Sequence, residues 1–348
     1  MTSTTPRRPG LLVGLVILLL SACSAGTPEQ HDGGGPPPPD TPREVAALIE
    51  RLPGVVEAEA ERTQEDTEYW VLGVDVVVED GITAEDLGTV VRALDAAAAR
   101  VEADDHGASV QLARHAAGDE DPEGGERGPT LFTSPGVPHP RLRAEAFLAA
   151  LERYPEASVM VDGTGLQINE IDPLGMRVSE ILAEIDQHPA LGEMSNTALS
   201  VKSSVEGVPY ARVWVDGPVT ETAGRHWQSV IDAVVTVPPQ AAPVYTYVLV
   251  RGDALDRVEV TLGGDLPVGV VPDFATWRSV LMPVIQSVLT LVAASPHQDG
   301  SAVDFSTEAG DFASVLIEDG ATASDYADPT WSQWAADLFN AQPAPSDG

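Results

Sequence analysis

Two hydrophobic periods alternate along this chain, and their order limits the folds open to it. Apolar residues recur at helical spacing at Val45, Leu48, Ile49 and Leu52, at Leu87, Val90, Val91 and Leu94, and at Val178, Ile181, Leu182 and Ile185. The same spacing marks helices at Phe147, Leu148 and Leu151, at Ala223, Trp227, Val230, Ile231 and Val234, from Trp277 to Val288, and from Trp331 to Leu338. Seven helices are therefore predicted. The sixth contains Pro283, which removes a backbone donor and is expected to kink it. Period-two segments fill the intervals: Val56 to Glu61, Trp70 to Val78, Tyr245 to Val250 and Arg257 to Leu262. Paired segments occur at 158–161 with 166–171, at 199–204 with 211–215, and at 303–306 with 314–317. A strand that hides one face under helices and wets the other alternates in this way. The predicted class is α+β: tandem helix-strand-strand units forming two-layer sandwiches with antiparallel sheets.

Internal echoes support duplication. Asp80-Gly81 with Thr83, Asp216-Gly217 with Thr220, and Asp319-Gly320 with Thr322 each follow a strand segment and precede a predicted helix. Asp-Gly suits a turn needing positive φ, and threonine is a good N-cap, with Asp86 and Asp325 three residues beyond it in two cases. Turn chemistry, and not an Asp-Gly ligand cluster, is the expected role. The stretch His226 to Ile231 also echoes Thr276 to Leu281. Grouping the units predicts three modules, at 42–137, 138–219 and 220–345. Their topology is similar to tandem ferredoxin-like or BON-like modules of envelope proteins.

The first 22 residues read as an export segment. Arg7 and Arg8 are followed by an apolar run from Leu11 to Leu20, about 15 Å of helix and half the thickness of a hydrocarbon core. Leu20-Ser21-Ala22-Cys23 resembles the lipobox of bacterial lipoproteins, which implies a diacylglycerated Cys23 at the mature N-terminus and a protein held on the extracytoplasmic face of the cell membrane. Pro9 and Gly10 depart from a twin-arginine signal, so the general secretory route is expected. No other segment reads as able to span or insert. Residues 23–41, with Gly33-Gly34-Gly35 and Pro36 to Pro39, lack the apolar surface to offset ordering and should form a tether. Cys23 is the sole cysteine, so neither a disulfide within the mature chain nor a cysteine metal site is expected.

Composition narrows the partners. Asp and Glu number 54 against 19 Lys and Arg, a net charge of −35, which disfavours nucleic acid and anionic lipid. Without Arg7 and Arg8 the mature chain carries −37. A basic envelope protein is the partner this charge suits, although acidity also serves solubility.

Catalytic motifs are missing. The seven histidines, at 31, 106, 115, 139, 188, 226 and 297, lack the spacing of a zinc protease, and neither a nucleophile elbow nor a phosphate loop is present. Lys202 stands two residues after Ser200, the wrong interval for a Ser-x-x-Lys pair. His226 beside Trp227 lies on an apolar helix stripe and reads as core, as do Trp277, Trp331 and Trp334. Asp119, Asp121 and Glu123 mimic the start of a calcium loop, but Thr130 occupies position 12, where an EF-hand needs a bidentate Glu, and Pro122 stiffens the turn. An exposed acidic loop is expected there, with calcium as the alternative. The favoured function is a non-enzymatic, lipid-anchored binding or assembly protein of the cell envelope. The alternative is an extracytoplasmic hydrolase or small-ligand-binding lipoprotein with a site between modules.

Overall fold

The computed structural model describes residues 41–66, 69–98, 105–116, 129–133, 138–172, 176–202, 210–235, 239–318 and 320–342. Among these residues the protein is mixed α/β, with eight α-helices and one 13-stranded sheet. The helices are α1 Pro42–Ile49, α2 Ala84–Ala98, α3 Ala113–Ala116, α4 Pro140–Arg153, α5 Val178–Gln187, α6 Glu221–Val235, α7 Phe274–Ala294 and α8 Pro329–Asn340. The strands are β1 Val55–Asp66, β2 Tyr69–Val78, β3 Asp105–Leu112, β4 Thr130–Thr133, β5 Ser158–Asp162, β6 Gly165–Ile171, β7 Asn196–Val201, β8 Tyr210–Asp216, β9 Pro243–Arg251, β10 Ala254–Leu262, β11 His297–Thr307, β12 Gly310–Ile317 and β13 Ala321–Ala323.

The strands lie side by side in chain order, β1 through β13. Pairs β1–β2, β3–β4, β5–β6, β7–β8, β9–β10, β11–β12 and β12–β13 are antiparallel, whereas β2–β3, β4–β5, β6–β7, β8–β9 and β10–β11 are parallel. The expectation of antiparallel sheets is thus corrected to one mixed sheet. The cause is the connections: each parallel neighbour is reached through a helix, which returns the chain to the end from which it started. Parallel pairs β4–β5 and β8–β9 also carry the sheet across 137/138 and 219/220, where module boundaries were expected.

Caps fix where helices begin. Thr41 and Glu44 form a capping box on α1, the Glu44 amide donating to Thr41 Oγ1 at 3.4 Å and the Thr41 amide to Glu44 Oε2 at 3.1 Å. Thr83 caps α2 by accepting from the Asp86 amide at 3.1 Å, and Thr220 accepts from the Ala223 amide at 3.2 Å at the start of α6. The third Asp-Gly-Thr echo fails. Thr322 pairs within β13, and α8 is capped by Asp328, which accepts from the Thr330 and Trp331 amides. Gly217 and Gly320 do adopt positive φ, +114° and +139°, but Gly81 does not.

Packing follows the alternation. Along β9, Thr246, Val248 and Val250 are buried while Tyr245, Tyr247 and Leu249, on the other face, are half-buried. Successive helices touch at α1–α2, α2–α4, α5–α6, α6–α7 and α7–α8. Two glycines allow close approach: a Cβ on Gly88 would lie 3.1 Å from Arg141 Cα across α2–α4, and one on Gly224 would lie 3.3 Å from Ser179 O across α5–α6. Contrary to the sequence reading, α7 has the length and composition of a membrane span, 21 residues with mean hydropathy 1.4 over its most apolar stretch. Its Leu281, Val284, Ile285, Val288 and Leu289 are packed in the core. Pro283 lies within α7 on its exposed side.

The two sheet edges are closed by different means. Exposed Glu57, Glu59 and Glu61 line the long first strand, and like charges there oppose pairing with another edge. At the far edge β13 has three residues, and α8 covers it: the Ala321 amide donates to Asn340 Oδ1 and Asn340 Nδ2 donates to Ala321 O, both at 2.8 Å.

Candidate functional site

Chemistry gathers on the face of β8–β12 opposite the buried aliphatic residues. Register sets three rows of side chains across these five strands. One row runs Arg212, Tyr247, Glu259, Asp304, Ser314; a second runs Tyr210, Tyr245, Thr261, Ser306, Asp311; the third begins Trp214, Leu249, Arg257. At about 4.8 Å between strands the rows extend roughly 19 Å, with aromatic groups at one end and carboxylates at the other. Period-two alternation places most of them there: Arg212, Trp214, Tyr247, Leu249, Glu259, Thr261, Asp304 and Ser314 each follow a buried Val, Ala or Thr on the same strand.

At the aromatic end the Tyr210 and Tyr245 rings stack with centroids 5.8 Å apart and planes 18° from parallel. Trp214 is 37% exposed. Burial pushes the Tyr245 hydroxyl up to about 12 and raises Tyr247 as well, so both remain neutral donors. Arg212, opposite Tyr247, keeps a buried Nε with no hydrogen-bond partner.

The acidic end is organised by Arg257. Its Nη2 lies 2.8 Å from Asp304 Oδ2 and its Nε 2.7 Å from Glu259 Oε1. Asp304 is buried and also accepts from Ser314 Oγ at 2.6 Å. Burial raises Glu259, outweighing the downward pull of Arg257, and Asp304 and Asp311 add to the rise. Burial followed by the Asp304 charge raises Asp311. One guanidinium thus serves three carboxylates, two of which hold their protons more tightly than usual. Among the described residues no three His, Cys, Asp or Glu side chains converge to hold a metal ion.

The raised Glu259 has a consequence for stability. The folded chain binds this proton more tightly than the unfolded chain, so the stability it contributes is present below about pH 4.5 and is lost as pH rises through the higher folded value. Glu259→Gln is therefore expected to flatten the decline in stability above pH 4.5, as read by urea unfolding at a series of pH values.

The residues singled out from sequence are dispersed. Cys23, the proposed calcium ligands Asp119, Asp121 and Glu123, His31 and Asp319 lie outside the described residues. His226 is buried, with Nε2 3.1 Å from Asp253 O, and burial lowers its pKa. His188 Nδ1 accepts from the Ala190 and Leu191 amides, and His297 Nδ1 lies 3.0 Å from Ser295 O. Ser200 accepts from the Glu170 amide at 2.9 Å, where Glu170 has φ +60°, and Lys202 pairs with Glu170 at 2.8 Å. Ser200 and Lys202 thus both brace Glu170 at the irregularity where β6 loses register with β7. Trp227 and Trp331 are buried, while Trp277 and Trp334 pack partly exposed against the core.

Two depressions lie within 138–219. A groove of about 600 Å³ between the C-terminal ends of α4 and α5 is bridged by Arg153 and Glu184, 2.7 Å apart, and includes Tyr154, whose buried hydroxyl has no partner. A smaller pocket of about 260 Å³ opens at the N-terminus of α4. Sequence reasoning missed the sheet-face cluster because alternation marks which residues share a face but not which strands adjoin; Tyr245-x-Tyr247 and Tyr210-x-Arg212-x-Trp214 were the available signal. Comparison with protein-family models, curated proteins and solved structures finds no match.

Proposed function

We propose that this chain is a lipid-anchored, extracytoplasmic, non-enzymatic binding protein of the cell envelope, built from tandem helix-strand-strand units in two layers. Its contact surface is the aromatic and acidic face of β8–β12. The observation that carries this reading is the run from Tyr210, Trp214, Tyr245 and Tyr247 to Glu259 and Asp311 on one side of the sheet. Tyr, Trp and Arg dominate binding hot spots because they offer large rigid area with a polar tip. The carboxylates suit a cationic side chain, and the net charge of −35 would steer a basic partner toward the protein. The matching partner is a protein segment that presents an apolar or aromatic residue and a Lys or Arg about 10 Å apart, two strand spacings.

The test is affinity capture from envelope extract by the wild type, Tyr247→Ala and Asp311→Lys, at low salt and at 1 M salt. One partner should be captured at low salt, weaken at 1 M, where the Debye length falls to about 3 Å, and be lost with either variant. A partner retained equally by all three proteins, or unchanged at 1 M salt, would remove the sheet face from the proposal. The small-ligand alternative draws its support from the groove between α4 and α5, where the Tyr154 hydroxyl could receive a polar group.

A further inference from the structure

At the β13 edge of the sheet Asn340 takes up both backbone groups of Ala321. The β1 edge has no such cover: among the described residues no hydrogen bond from outside the β1–β2 ladder reaches Val56 to Glu61. The strand is regular beyond the bulge at Val56, and Glu57 to Gln64 pair one to one with Val77 back to Trp70. Along that stretch every second residue turns its N–H and C=O away from β2. A regular edge of this length is a template for one more strand.

Charge decides which strand can be added. Glu57, Glu59 and Glu61 are exposed on the face opposite Ala58 and Ala60, and Glu59 stands directly across from exposed Asp75 of β2. Like charges so placed are unfavourable, and Asp75 accepts only from the neutral Ser109 hydroxyl. Among the described residues none of these four carboxylates has an ion-pair partner. Elsewhere on the sheet Glu170, Asp216, Asp256, Glu259 and Asp304 each lie within 3.3 Å of a lysine or arginine nitrogen. The edge glutamates are therefore the strand carboxylates left without a cation.

Their spacing selects the form of the missing cation. Residues two apart on a strand stand about 6.8 Å from each other, too far for three carboxylates to close on one ion. A second strand repeats at the same interval, so its Lys or Arg side chains at alternate positions meet each glutamate in turn. The intervening side chains extend the face of Ala58 and Ala60, the face on which the core packs, where a small residue such as Val or Thr fits. A second copy of β1, added with its helices on the same side, would instead set glutamate against glutamate.

We infer that the open edge of β1 binds, by strand addition, an extended segment of another protein that carries Lys or Arg at every second position. Backbone pairing supplies affinity, and Glu57, Glu59 and Glu61 supply the selection for charge. This site is separate from the face of β8–β12 and does not rest on the reading of that face.

The experiment titrates the full chain, in micelles of uncharged detergent, with three end-blocked, fluorescent peptides: Lys-Thr-Lys-Thr-Lys-Thr-Lys, the same residues in the order Lys-Lys-Lys-Lys-Thr-Thr-Thr, and Glu-Thr-Glu-Thr-Glu-Thr-Glu. Anisotropy reads binding and amide hydrogen exchange locates it. The alternating lysine peptide should bind more tightly than the block peptide of equal charge, and the glutamate peptide should not bind. Amides within 57–63 should become protected. The triple variant Glu57→Gln, Glu59→Gln, Glu61→Gln should weaken the alternating lysine peptide about tenfold, the combined effect of three cross-strand charge pairs. Equal binding of the two lysine peptides, protection confined to β8–β12, an unchanged affinity in the triple variant, or β1 amides already protected in a dimer before peptide is added would overturn the assignment.

Discussion

Replacing Trp331 with alanine should destabilise the protein by about 3–5 kcal/mol, the range for deleting a buried aromatic side chain. The Trp331 ring is 1% exposed and meets Phe274, Phe312 and Trp334 edge-on, with centroids 4.8, 5.2 and 5.6 Å away. Its Nε1–H donates to Pro272 O at 2.7 Å, tying α8 to the segment that leads into α7. Alanine would open a cavity, orphan that carbonyl and loosen the helix that covers β13. Chemical unfolding measures the loss, and a change below about 1 kcal/mol would contradict this packing. Phenylalanine sharpens the comparison. Trp227 is also fully buried, but its Nε1 has no partner, so Trp227→Phe should cost less than Trp331→Phe, which sacrifices the bond to Pro272.

A second large effect is expected at Cys23. If acyl chains on this thiol hold the protein at the membrane, Cys23→Ala should move it from the membrane fraction to the soluble fraction. Each buried CH₂ contributes about 0.8 kcal/mol, so two chains anchor stably and none does not. The apolar helix α7 offers a rival anchor by length, yet using it would require pulling Leu281, Val284, Ile285, Val288 and Leu289 out of the core. Fractionation of the wild type and variant, with mass measurement of the N-terminal peptide, separates the two. Retention of Cys23→Ala in the membrane, or an unmodified wild-type peptide, would end the lipoprotein reading.

The helices were legible because each carries a stripe of large aliphatic residues. All seven expected helices occur, and only α3, four residues long, escaped the pattern. Two interior strands were missed for the opposite reason. β3, Asp-His-Gly-Ala-Ser-Val-Gln-Leu, buries the short run Ala108, Val110 and Leu112 among polar residues, and β4 is four residues inside a stretch that reads as loop. Small side chains suffice there because helix contacts come from α2 and α4, whose Leu87, Leu94 and Phe147 fill the space. Parallel neighbours were not legible, since alternation looks the same in either direction. Arg143 of α4, 1% exposed, was overlooked as a core residue because arginine in a helix is usually solvated. Its spacing from Phe147, Ala150 and Leu151 nonetheless put it on the buried stripe, and that was the signal to follow.

A sheet whose spatial order repeats the order of the chain has a kinetic corollary. Every strand finds its partners among its immediate predecessors and successors, so no early segment waits for a distant one. Paired residues are therefore never far apart in sequence, which lowers the relative contact order for a sheet of this size. A chain emerging N-terminus first can therefore assemble from β1 onward, each hairpin templated by the one before it. Growth of that sort needs a terminator. The short β13, with Asn340 of α8 bonded to both backbone groups of Ala321, provides it, so shortening the chain before α8 should leave an elongating edge that recruits a second molecule in place of the missing helix.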